Sequence, residues 1–291
     1  MIKEKINFHI GGLFEKYELL KLFLQIFKDE NYKFYPYVRI GSIFGCVNSK
    51  WNGGRLISDY YDIDTAEVAE FMKIRHPDIQ CRLTFTNMLI NNQSLDDEVG
   101  NRLLKEFNFG HNAVIIYSDL LENYIRTKYP NYAIVSSVTK CLSQEETCAE
   151  LNQNYYHMVV INSNYVQDYE FIKSLPNKDK IELIVNDVCG IYCSNRKGHY
   201  LEYSRCQLSQ KQPYKCIHEN GPSPFFELKK KPLFISNKDI TNKYYPLGIC
   251  NYKIQGRTNF PIDYVETLVY YLVKPEFQLE IRERLLLNEM Y

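Results

Sequence analysis

The 291-residue chain has no apolar run near the roughly 20 residues of a membrane span, and no excess of charge. Its 35 basic and 35 acidic residues cancel. That balance argues against a nucleic-acid partner, which usually needs a basic excess. With Met1-Ile2-Lys3-Glu4-Lys5 leading straight into a short apolar stretch, no signal peptide is expected. The expected location is cytoplasmic, with no membrane partner. Also missing are a P-loop, a His-Glu-x-x-His pair, a nucleophile elbow and a complete triad signature. Hydrolysis by Ser or Cys therefore has no positive support. Hydrophobic residues at 45% and charged residues at 24% are ordinary for a chain that buries a large core.

What is present is a repeated alternation. β-Branched runs at Ile6–Ile10, Val38–Phe44, Arg82–Thr86, Ala113–Tyr117, Tyr132–Val135, Met158–Ile161, Ile181–Val185 and Tyr252–Ile254 predict eight strands. Helical spacing separates most of them, over Leu13–Phe27, Asp64–Lys73, Ser94–Phe107, Asp119–Lys128, Glu145–Leu151, Tyr169–Ser174 and Asp263–Leu272. Asp62 or Asp64 can cap one helix, and Ser94-Leu95-Asp96-Asp97 resembles a capping box. Short apolar strands joined through helices pair in parallel, because parallel strands need crossovers. Eight such units predict a single α/β domain over residues 1–291, a closed (β/α)8 TIM-like barrel. An open doubly wound sheet is the alternative, but His9-Ile10-Gly11-Gly12 only weakly imitates its phosphate loop. A Cys-rich insertion without clear period follows strand seven over residues 186–233. A last helix within 275–291, at Phe277–Leu287, stands outside the eight units and can cover one end.

Barrel chemistry sits at the C-terminal ends of strands. That rule selects Asn87, Asn186 and Arg257 as candidate catalytic residues. Asn87 can orient a polar substrate or cap the next segment. Arg257 can clamp a carboxylate or phosphate, or simply pair with an acid. Lys253 alternates with Ile254 on a strand, so it faces the bore and needs a partner such as Glu182. His9 reads as a general acid–base or as a satisfied core histidine. Trp51-Asn52-Gly53-Gly54-Arg55 is an anion-binding loop or a plain turn. Asp119 suits a helix start.

Nine cysteines are an odd number, and in a reducing compartment free thiols or metal ligands are favoured over disulfides. Four of them, Cys189, Cys193, Cys206 and Cys216, crowd into the insertion. Four soft ligands in an irregular loop suit a metal. The first pair has zinc-knuckle spacing but the second does not, so a 4Fe–4S cluster is expected before zinc. His199 and His218 are nearby substitutes for one ligand, and four ordinary thiols are the bland alternative.

The end of the chain resembles the collagenase-like peptidase family, unassigned-peptidase family thirty-two, which includes the anaerobic ubiquinone- and tRNA-hydroxylation proteins. The matching residues are Ile235-Ser236-Asn237-Lys238-Asp239-Ile240, Leu247-Gly248-Ile249, Tyr252-Lys253-Ile254-Gln255-Gly256-Arg257 and Tyr264-Val265. Glu182 to Cys189 resembles the family's acidic strand leading to a Cys. The resemblance covers about residues 180 to 275. It implies a barrel with a four-Cys 4Fe–4S cluster near the mouth and, as in the best understood members, oxygen-independent hydroxylation rather than proteolysis; the expected partners are a small-molecule or peptide substrate and a redox partner protein. Asn186-Asp187-Val188 replaces the family's His-Gly-Ala, Cys193-Ser194-Asn195-Arg196 replaces its Ser-Gly-Arg-Cys, and Gln255 replaces a Glu. A zinc- or thiol-stabilised barrel binding protein without catalysis is the alternative function, and a peptidase the third.

Overall fold

A computed structural model describes residues 4–54, 63–153, 156–189, 193–209 and 224–288. Eight strands form: β1 (Ile6–Gly11), β2 (Val38–Gly45), β3 (Gln80–Phe85), β4 (Ala113–Ile116), β5 (Ala133–Ser136), β6 (Met158–Val160), β7 (Ile181–Ile184) and β8 (Asn251–Ile254). Each pairs in parallel with the next, and β1 pairs with β8, so the sheet closes in sequence order. The chain is a (β/α)8 barrel, and the open-sheet alternative falls.

The helices are α1 (Tyr17–Asp29), α2 (Thr65–Arg75), α3 (Glu98–Glu106), α4 (Asp119–Lys128), α5 (Gln144–Asn152), α6 (Tyr169–Ser174), α7 (Arg196–Ser209), α8 (Phe225–Leu228), the single turn α9 (Asn237–Asp239), α10 (Pro261–Leu272) and α11 (Gln278–Asn288). Side-chain caps fix several starts. Asp64 accepts from the backbone N–H groups of Ala66 and Glu67, and Ser118 from that of Leu121. Ser94 does not open the third helix. It forms a capping box with Asn91 around a 3₁₀ turn, and Asp97 caps α3 by accepting from Gly100 N at 2.8 Å. α11 packs beside α1 and α10 and buries Ile281 and Leu285. Among the described residues no helix is long and apolar enough to cross a membrane.

The apolar residues form two bodies. The larger lies between the strands and the surrounding helices. The smaller fills one side of the bore with Phe44, Ala113, Ile115, Val135, Met158, Val160 and Ile184, most of them from β4 to β6. The other side, built from β7, β8, β1, β2 and β3, turns polar residues inward. Parallel barrel strands buried on both faces are usually near-continuous apolar runs, so this polar wall requires a chemical account.

Candidate functional site

The polar wall centres on Glu182 of β7, which is wholly buried. Its carboxylate accepts from Arg82 Nη1 of β3 and, at 3.1 Å, from Lys253 Nζ of β8. His9 Nε2 of β1 lies 3.6 Å away. The sequence-expected pair of Lys253 and Glu182 is therefore real. Arg82 also donates from Nε to Gln80 Oε1 at 2.6 Å. His9 Nδ1 meets Ser42 Oγ at 2.8 Å, which makes it a satisfied core histidine. Burial beside Arg82 lowers its pKa to about 3, so the ring is neutral through the physiological range. Burial alone would raise the pKa of Glu182, but Lys253 and Arg82 outweigh it and hold the carboxyl below its usual range. Burial lowers Lys253 to about 8 against the pull of Glu182.

One layer toward the mouth, Arg257 Nη1 stands 3.3 Å from Glu15 Oε1 and donates to Thr84 Oγ1 at 3.1 Å. Glu15 is itself buried, and burial raises its pKa against the opposing charge of Arg257. The Phe44 ring underlies both cations, with Lys253 Nζ at 4.1 Å and Arg257 Cζ at 5.7 Å from its centroid. Gly11 makes this corner possible. A Cβ there would stand 2.9 Å from Phe44 Cζ and 3.0 Å from Arg257 Cγ.

The three sequence-selected candidates do not converge as a reacting set. Asn87 is buried and its amide is committed to structure, with Oδ1 accepting from Leu89 N at 2.8 Å and Nδ2 donating to Ser204 O at 3.3 Å. Asn186 grips the exit of β8, donating to Gln255 O and accepting from Gln255 N, both at 2.8 Å. Arg257 has the acidic partner of its architectural alternative. Of the loop after β2, Arg55 lies outside the described residues. Gly53 is there for close backbone approach, since its Cβ would meet Thr86 and Asn87 main-chain atoms at 2.7 Å.

The segment after β7 is more regular than its sequence suggested. α7 crosses the C-terminal mouth of the barrel. At its start Arg196 Nη1 donates to Asp187 Oδ2 at 2.8 Å, which also accepts from Ser163 Oγ. Near its end Ser204 holds the loop after β3 through Met88 N at 3.0 Å, and Gln207 donates to Asn48 Oδ1 at 2.7 Å after β2.

That helix also tests the expected cluster. Cys193 precedes α7, whereas Cys206 is buried in its last turns. The rise along the helix from Arg196 to Cys206 is about 15 Å. Among the described residues no three His, Cys, Asp or Glu side chains converge on a metal position. Cys189, Cys193 and Cys206 form no such group by themselves. Cys216 and His218 lie outside the described residues. The expected four-cysteine set is therefore only partly within the described residues.

Arg82 is the member of the wall that sequence reasoning missed. Its signal was the alternation Gln80, Arg82, Thr84 in a barrel strand, the same pattern that exposed Lys253.

No protein-family model matches the chain, and no curated protein matches it. A search of solved structures finds the U32 peptidase Mk0906 at a TM-score of 0.50 and 10% sequence identity, over 87% of this chain and 92% of that one. At that identity the likeness is one of fold, and what the two proteins share is the barrel.

Proposed function

We propose that this barrel binds a small anion, a carboxylate or a phosphate, at the corner of its mouth formed by β8, β1 and β2. The observation that carries the reading is a charge count. The described bore and its mouth corner contain three cations, Arg82, Lys253 and Arg257, against two carboxylates, Glu182 and Glu15. Asp187 answers Arg196, and Asp97 answers the α3 N-terminus, so neither corrects the imbalance. A buried charge without a counterpart is costly, and a bound anion would supply one. Arg257 offers the planar donor geometry and Lys253 the compact charge. A four-iron centre has no part in this reading. A peptide with a free C-terminal carboxylate belongs to the same ligand class.

The test is a melting titration of the full chain with inorganic phosphate, acetate and a dipeptide with free or amidated C-terminus, at ionic strength fixed with sodium chloride. Specific binding raises Tm saturably, for the free-acid peptide and not the amide. Arg257→Gln should weaken it at least tenfold. Affinity should also fall as pH rises through about 8, where Lys253 loses its proton. A Tm that follows ionic strength alone, or an unchanged response in Arg257→Gln, would refute the reading.

A further inference from the structure

At the start of α10 the surface changes character. Phe226 is 66% exposed, Phe260 61% and Ile262 54%. They are neighbours through the chain, because the backbone N–H of Phe225 donates to Asp263 Oδ1 at 2.9 Å and so fixes α8 against the first turn of α10. Phe225 turns inward onto Tyr270 and Phe234, leaving Phe226 facing out. Single exposed apolar residues are ordinary; three large ones around one helix start are not. Lys229, Lys230 and Lys231 follow directly. Lys229 stands over the Tyr270 ring at 4.9 Å, and Lys230 reaches Glu227 at 2.7 Å with both partners largely exposed. Among the described residues of this rim, Glu227 pairs with Lys230 and the Asp263 carboxylate is engaged by the backbone, so the three lysines outnumber the acids beside them.

We infer that this rim docks on an anionic phospholipid surface, the exposed Phe226, Phe260 and Ile262 entering the interface while the lysines meet the headgroups. Rings and aliphatic tips flanked by lysine match the boundary between acyl chains and anionic headgroups. An acidic polypeptide would satisfy the lysines but gives no reason for three apolar side chains to project together.

The experiment is co-sedimentation of the full chain with vesicles of phosphatidylcholine alone, and of phosphatidylcholine with phosphatidylserine. Binding is expected only to the second and should weaken with salt. Phe226→Ser and Ile262→Ser should each reduce it at least tenfold while leaving Tm unchanged. Lys230→Gln and Lys231→Gln should each cost about fivefold. Arg257→Gln should bind vesicles as the parent does, which separates this surface from the anion site. The inference is overturned by equal binding to both vesicles, by binding to neither, or by capture on an acidic polypeptide without vesicle binding. It also fails if Arg257→Gln alone abolishes sedimentation, since the headgroup would then be held in the mouth.

Discussion

Glu182 holds more of this molecule together than any other side chain of the bore. It is the one carboxylate that Arg82 and Lys253 share, and His9 approaches the same oxygen as Arg82. Removing one partner of a buried ion pair is far more damaging than replacing the whole set, because the survivor stays buried without compensation. Glu182→Gln should therefore lower unfolding free energy by about 3–5 kcal/mol in urea titrations. Adding Lys253→Met to that variant should recover part of the loss. A cost below about 1 kcal/mol would mean that water reaches the bore and solvates the cations. Half of this cluster was legible in advance. Lys253 alternates with apolar neighbours on a predicted strand, and such a lysine must find an acid. Arg82 follows the same rule on β3, but nothing in one strand's sequence says which side chain waits across the bore.

At the scale of elements, α3 and the loop after β2 depend on a missing side chain. Gly100 lies against the indole of Trp51, where a Cβ would fall 2.3 Å from Cε3. The ring is pinned on its other sides by Phe85 and Tyr124 and donates from Nε1 to Ser94 O at 2.6 Å. Gly100→Ala must move the indole or the helix, and overpacking of this kind costs about 1–3 kcal/mol. The chain has one tryptophan, so a shift in emission wavelength should accompany the loss in stability; unchanged emission would show that α3 yields instead. α7 shows why some elements escape a reading by pattern. Its buried positions include Arg196, His199, Tyr200, Tyr203, Ser204 and Gln207, at helical spacing but of polar type. A roof over a polar mouth needs polar contacts, so the helix carries no apolar stripe. The expected metal loop rested on that missing stripe. Strands β1 to β8 had no such difficulty, because both their faces meet the interior.

For the whole molecule, the bore makes stability sensitive to acid. In the unfolded chain His9 takes a proton near pH 6.5, but in the fold it resists protonation until about 3. Between those values the unfolded state binds more protons, so stability falls as pH falls, by roughly 1.4 kcal/mol per pH unit. Glu182 acts in the same direction, its contribution present above the ordinary carboxylate range and lost below it. Urea unfolding at pH 7 and pH 5 should reveal the slope, and His9→Asn should flatten it above the carboxylate range. Glu15, raised by burial, works in the opposite direction, so the decisive comparison is between the two chains: a slope left unchanged by His9→Asn would contradict a neutral, buried His9.

The pairing of β1 with β8 also bears on how the chain is made. Their partners lie at opposite ends of the sequence, Asn7 beside Asn251 and Ile10 beside Ile254. At about 5–20 residues per second, the ribosome spends roughly 10–50 s between the two strands. Throughout that interval β1 has an unpaired edge on its β8 side, and each newly made strand adds another until its successor arrives. Such edges recruit foreign strands. The ring that leaves no edge in the folded barrel therefore gains that protection only once β8 has been made, about 240 residues after β1.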